Sequence, residues 1–276
     1  LAFFLPEKEG QQYPTEQQVL DALAAVDAEQ IDAYTEEVNN DPLVPELNSN
    51  VTIKKMQDGV YGTKLITLSN GIKVHVLHTD YSPNSIAMRA ISWGGSSLYP
   101  NSEYNLVDNA HMVQVGGWGQ FSAIDLQKKL SGKQVSVEPS IADRTEALHG
   151  SCVKKDLETM LQLTYLCFTS PRRDDDAYKS LLERTRNSLK NEDMNPITAL
   201  RDSIASVVYN NNVRALRMRT EDVDGLDYDR VMEIYKERFA NAADFEFFFV
   251  GDVEADSIAP LLTKYLGSLP VAKKHE

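Results

Sequence analysis

KLITLSNGIKVHVLHT, residues 64–79, alternates apolar and polar positions on both sides of Asn70-Gly71. A period of two marks a strand with one buried face, and an Asn-Gly pair between two such runs signals an antiparallel hairpin. Working outward, SIAMRAISW adds a third strand that ends at Gly94-Gly95, and KQVSVEPSI and EALHGSCV add two more. FEFFFVGD, near the C-terminus, is a run apolar enough for a sheet interior.

Between these strands the period changes from two to about 3.6. Helices are expected over about 103–115 and about 122–131, the second capped by Ser122 with Asp125 and closed by Gly132. A long helix runs from Asp156 to about Phe168, with Leu157, Met160, Leu161, Thr164, Tyr165 and Phe168 on one face. The next starts behind Pro171, carries Tyr178, Leu181, Leu182 and Leu189, and has Asp174, Asp175 and Asp176 in its first turn. Acidic side chains there complement the helix dipole, so the triplet is read as a helix start and not as a metal site. Asn195-Pro196 opens a helix bearing Ile197, Leu200, Ile204, Val207 and Val208, and DYDRVMEIYKERF and a segment with Ile258, Leu261, Leu262 and Tyr265 supply two more. Strands in hairpin groups followed by helices in pairs predict an α+β fold, a largely antiparallel sheet with helices packed on one side.

At the N-terminal end, Thr15 and Gln18 form a capping box before a helix expected over residues 14–38, with a second short helix carrying Ile31, Tyr34 and Val38. NNDPLVPELNSN loses all periodicity, which predicts a linker and a boundary near residue 50. The opening LAFFLPEKEG is too short and too poor in basic flanks for a signal peptide and reads as a piece of something longer.

The totals narrow the function. With 41 acidic against 28 basic residues, a net charge of −13 repels a phosphate backbone, and no basic stripe offsets it, so nucleic acid is excluded as a partner. No run is long and apolar enough to span a bilayer, and the compartment expected is periplasm or cytoplasm. Cys152 and Cys167 lack the spacing of a zinc ribbon or a disulfide framework and are read as buried free thiols. Gly116, Gly117 and Gly119 lack the lysine and register of a phosphate-binding loop, and no G-x-S-x-G elbow appears.

The order of these segments resembles one repeat of the insulinase/pitrilysin family of zinc metallopeptidases over residues 60–270. It is carried by LSNGIKVHVLH, GGSSLYP, FSAIDLQKKL and a tail with Tyr235-Lys236-x-Arg238-Phe239, Val250-Gly251-Asp252 and Tyr265-Leu266-Gly267-x-Leu269-Pro270. The resemblance implies an insulinase- or mitochondrial-processing-peptidase-like repeat at 51–276, with 1–50 the tail of a preceding repeat and a helical linker. It also implies a parent of two or four repeats enclosing a chamber in which peptides are cut. Its partners would be other repeats of the same polypeptide or a homologous active subunit, together with peptide substrates.

An active repeat of that family carries H-x-x-E-H on its first helix and a further glutamate on a later one. Two imidazoles and a carboxylate hold zinc, and the motif's glutamate activates the bound water. Here DNAHMVQVGGWGQFS, residues 108–122, stands in that place. With His111 in the first slot, Gln114 replaces the base and Val115 the second ligand; in the other register Asp108 comes first, His111 takes the glutamate slot and Met112 the last. Glutamine accepts no proton from water near neutrality, and valine has no lone pair for a metal. Glu183 lies about where the distant glutamate would fall, which leaves two donors where three are needed. His75 and His78, three apart on a strand, point to opposite faces and do not rescue the site. No metal is therefore expected in this segment, and zinc is expected in an active repeat elsewhere in the parent. Arg214, Arg217 and Arg219 are the candidates for peptide contact, with a solvated loop as the plainer role. The alternative is a peptidase-like scaffold with no hydrolytic activity, bound to a separate active subunit.

Overall fold

A computed structural model describes residues 4, 10, 12–29, 39 and 41–272. By its internal contacts the chain divides into two compact units, Leu1–Glu37 and Val38–Glu276. The first contains helix α1 (Glu16–Ala28), started by the expected capping box: Thr15 Oγ1 accepts from Gln18 N at 3.3 Å and Gln18 Oε1 accepts from Thr15 N at 2.9 Å. The helix expected to carry Ile31, Tyr34 and Val38 lies outside the described residues. Leu43 and Val44, in the segment read as a linker, are buried in the core of the second unit.

Among the described residues, that core is built on seven strands: β1 (Ile53–Asp58), β2 (Lys64–Leu68), β3 (Lys73–His78), β4 (Ser85–Trp93), β5 (Val135–Ile141), β6 (Thr145–Val153) and β7 (Glu246–Gly251). Their order across the sheet is β1-β2-β3-β7-β4-β6-β5. Every neighbouring pair is antiparallel except β3 and β7. Alternation divides each strand between two faces: Ile86, Met88 and Ala90 of β4 are buried, whereas Ala87, Arg89 and Trp93 are exposed. The reversal after β2 differs from the expected two-residue turn. Gly71 N donates to Leu68 O at 3.0 Å and Gly71 alone takes positive φ, so glycine serves as the bulge residue of a longer turn. Asn70 instead spends its amide on the Leu266 carbonyl at 3.2 Å.

The helices are α2 (Tyr104–Asp108), α3 (Ala123–Lys129), α4 (Leu157–Thr169), α5 (Asp175–Asp193), α6 (Pro196–Val208), α7 (Tyr228–Arg238) and α8 (Ala255–Tyr265). α4 packs on β5 and β6 and beside α8, which covers β2 and β3. The sequence gives α4 one apolar face, but Leu163, Leu166 and Cys167 are buried as well, because sheet and helices enclose it. Phe168, on α4, meets Phe239 and Phe245 edge-on, with centroids 5.6 and 5.0 Å apart. Such aromatic pairs add to area burial, and truncating a residue of this kind costs about 3–5 kcal/mol. The central strand β7 lies between β3 and β4 and thereby joins the two ends of the unit, with Phe247 and Phe249 fully buried.

The segment where one helix is expected over about 103–115 is broken. A 3-10 turn at Asn101–Glu103 leads into the five residues of α2, and a second 3-10 helix runs over Ala110–Gly116. Asn109 causes the break: its side-chain amide donates to Asn105 O at 2.7 Å, and its carbonyl accepts the i+3 bond from Met112 N at 2.9 Å.

Candidate functional site

The segment expected from the sequence to stand in place of a metal-binding helix is this 3-10 stretch, held between α5 and α7. Val107, Ala110 and Val113, three apart, are fully buried, so a three-residue period selects the inward face. The winding has a chemical consequence. In an α-helix, side chains four apart lie about 40° apart around the axis and can share an ion. At three residues per turn they lie about 120° apart. Positions 111 and 115 diverge here whatever residues occupy them.

His111 is half-buried, with Nδ1 3.0 Å from the Asp108 carbonyl oxygen three residues back. Gln114 is half-buried too, and Val115 and Met112 pack against the core. The other register fares no better, because it replaces the last ligand by Met112. Glu183, on α5, is exposed and accepts from Arg186 Nη1 at 2.8 Å. Among the described residues no three His, Cys, Asp or Glu side chains come together as a metal-binding group. One imidazole and one carboxylate already paired with arginine do not fit zinc, which takes three protein ligands even in open sites.

The other described histidines each have their own neighbour. His75 stacks on Phe248 with centroids 4.7 Å apart and approaches Glu246 Oε2 at 3.3 Å. His78 lies 3.2 Å from Glu254 Oε1, and His149 Nε2 is 3.1 Å from Ser140 Oγ. Cys152 and Cys167 are free and buried, and burial pushes the Cys152 thiol up to about 12 and the Cys167 thiol well above its usual value. Neither is a thiolate at neutral pH, so neither is a nucleophile.

After the 3-10 stretch the chain turns sharply. Gly117 has φ 85°, and a Cβ there would sit 2.2 Å from Phe121 O. Gly116 likewise lies against the Arg172 carbonyl, so this glycine cluster makes a tight crossing and not an anion cradle. The acidic triplet does what helix starts do: Asp174 Oδ1 caps α5 by accepting from Ala177 N at 3.0 Å, and Arg173 pairs with Asp175.

The three loop arginines are separated in role. Arg214 donates to Ser96 O (3.1 Å), Tyr99 O (2.7 Å) and Asn101 Oδ1 (2.7 Å), with its guanidinium over the Tyr104 ring, and so clasps the turn that precedes α2. Arg217 donates to Asp202 at 2.9 Å and to Asp193. Arg219 lies 3.6 Å from Asp202 and is about half-exposed (48%). Sequence reading missed a neighbouring network: Tyr99 donates to Glu237 at 2.5 Å and accepts from Arg238 Nε at 3.2 Å, while Arg230 joins Glu103 at 2.9 Å to Glu237 at 3.0 Å. Burial, reinforced by the Glu237 carboxylate, pushes the Tyr99 hydroxyl up to about 12. Tyr99 and Glu103 lie more than 100 residues from Arg230, Glu237 and Arg238 in the chain, and only spacing within one element is readable from sequence.

No family model matches the chain. It is 26% identical over 203 residues to the probable zinc protease PqqL of Haemophilus influenzae, an alignment that covers 73% of this chain and 22% of that protein. The chain thus spans about a fifth of that relative's length. Among solved structures, the periplasmic protease PqqL from Escherichia coli superposes with a TM-score of 0.74 at 20% identity, over 95% of this chain and 29% of that one. An inactive M16 peptidase domain from Pseudomonas fluorescens superposes with a TM-score of 0.60 at 13% identity, over 78% of this chain and 53% of that one. Among the described residues no helix is long and apolar enough to cross a membrane.

Proposed function

Because this chain is a repeat of the insulinase/pitrilysin type, we propose that it is a non-catalytic segment of a zinc-dependent metalloendopeptidase, supplying chamber wall and peptide-contact surface while the zinc is held by an active repeat elsewhere in the parent. The observation that carries this reading is the 3-10 segment, which offers His111, Gln114 and Val115 where a working repeat needs two imidazoles and a general base. The kinship with proteins called zinc proteases and the likeness to an inactive domain of the M16 type both support it. Of the two compartments open to the sequence, the likeness to a periplasmic protease favours the periplasm.

The test is cleavage of a quenched fluorogenic peptide by the 276-residue chain and by the longer polypeptide that contains it, each with and without chelator. The chain alone is expected to give no chelator-sensitive turnover. The longer polypeptide is expected to give it, with kcat unchanged by His111→Ala. Chelator-sensitive turnover by the chain alone would overturn the proposal.

A further inference from the structure

Helix α6 is amphipathic in the wrong sense for a helix that covers a core. Ile197, Leu200, Ile204, Val207 and Val208, spaced three and four apart, fall within an arc of about 100° at 3.6 residues per turn. In α4, α7 and α8 such an arc lies against the core, yet here all five side chains are 54–82% exposed and no residue of α6 is buried. Met194 and Tyr209, at the two ends of the helix, are exposed as well.

The side turned inward is the polar one. Thr198, Asp202, Ala205 and Ser206 are its half-buried positions. Asp202 takes a two-pronged bond from Arg217, Oδ1 from Nε at 3.1 Å and Oδ2 from Nη2 at 2.9 Å, and Arg217 also donates to Asp193 at the end of α5. This ion pair fixes the rotation of α6 about its own axis and so aims the apolar arc outward. Little on that surface is left to bond water: the hydroxyls of Ser203 and Ser206 donate back to the carbonyls of Ala199 and Ser203, at 2.8 and 2.9 Å. Residues 194–212 hold two charged side chains, Arg201 and Asp202, in a chain of which a quarter is charged.

A contiguous apolar strip depleted of charge has the composition of an interface centre. A second copy of this chain would bring a net charge of −13 against another −13. A membrane-surface helix carries a basic polar face, and α6 has one arginine and no lysine. The rest of a longer polypeptide meets neither objection. Matched residues make up 22% of the Haemophilus relative and 29% of the Escherichia coli protease, so most of the length of such chains lies outside the part matched here.

We propose that α6 docks by this apolar arc on an apolar face of another unit of the same polypeptide, and that this contact holds the repeat in the chamber wall. The inference rests on the reading of the chain as one repeat of a longer parent and specifies the helix that joins it to the rest.

The test places a cysteine at Val207 or Leu200 (Val207→Cys, Leu200→Cys) and follows its reaction with a bulky maleimide, site by site, by mass spectrometry. Cys152 and Cys167 are buried and react slowly in the folded chain. Both new thiols are expected to react freely in the 276-residue chain and at least about tenfold more slowly in the longer polypeptide. A second variant, Leu200→Glu/Ile204→Glu, is expected to leave the melting temperature of the 276-residue chain unchanged, because both positions are exposed there. The same change is expected to lower that of the longer polypeptide by about 5 °C or more. Equal labelling in the two forms, or a longer polypeptide indifferent to the glutamates, overturns the inference. Slow labelling in the 276-residue chain also overturns it: dependence on protein concentration would assign the arc to a second copy, and independence would assign it to a segment of the chain itself. Neither readout involves cleavage, so chelator-sensitive turnover by the 276-residue chain would remove the non-catalytic reading and leave this contact standing.

Discussion

Glu146, 2% exposed within β6, accepts the Gly95 N–H at 2.7 Å and so fixes the bend at which β4 gives way to the turns leading to the 3-10 segment. The guanidinium of Arg238, 7% exposed, crowds the same bend: a Cβ on Gly94 would lie 2.9 Å from Arg238 Nη1 and 3.2 Å from Glu146 Oε2. Three distant parts of the chain therefore meet at one buried carboxylate.

Glu146→Ala leaves the Gly95 N–H orphaned and removes a buried carboxylate from beside Arg238. A loss of about 3 kcal/mol in unfolding free energy is expected from urea titration, with Glu146→Gln costing less because its amide oxygen still accepts. A loss under about 1 kcal/mol for the alanine variant would show that the bend does not depend on this contact.

Gly117→Ala is expected to be among the most damaging single changes. Its φ of 85° disfavours any L side chain, and the new Cβ would fall 2.2 Å from Phe121 O and 2.6 Å from the Ser122 carbonyl carbon. Both are backbone atoms that cannot swing away, so at least ~2 kcal/mol is expected, read as a drop in melting temperature. A variant as stable as the parent chain contradicts this packing.

Restoring the motif residues is expected not to restore the metal. In the double variant Gln114→Glu/Val115→His, the imidazoles at 111 and 115 point about 120° apart on a 3-10 helix. Elemental analysis after dialysis is expected to give well under one zinc per chain, with no change in melting temperature on adding chelator. Stoichiometric zinc would mean that the segment rewinds into an α-helix.

Alkaline pH is expected to unfold the protein through its buried tyrosines. Tyr178 is 4% exposed, stacks on Tyr228 with centroids 3.9 Å apart and donates to Leu226 O at 3.2 Å. Burial, with the nearby Tyr228 and Asp227 reinforcing it, pushes its hydroxyl up to about 12, as burial does for Tyr99. The folded state holds these protons more tightly than the unfolded chain, whose tyrosines titrate near 10. Their contribution is therefore complete below about pH 10 and is lost as pH rises towards about 12. Unfolding free energy measured against pH should fall across that window, and less steeply in Tyr178→Phe. Equal slopes would remove Tyr178 from the account.

The sequence by itself determined much of what depends on neighbours along the chain. Period-two alternation gave β2, β3 and β4 their buried faces, Thr15 and Ser122 announced their helix starts, and the tail from Tyr235 to Pro270 carried the likeness to the peptidase repeat. The reading of Gln114 and Val115 in the places of a base and a ligand, like the other register through Asp108, His111 and Met112, came from side-chain chemistry alone, which needs no fold to be read. What only the tertiary structure decided are the features in which distant segments compete for the same atoms. Between α5 and α7 a helical pattern winds into a tighter 3-10 form once Asn109 diverts its bonds; Arg214 leaves solvent for three acceptors near Ser96; β7 enters the middle of a sheet begun almost 200 residues earlier. Local periodicity records which face of an element turns inward, but the partner it meets there is set by the packing of the whole unit.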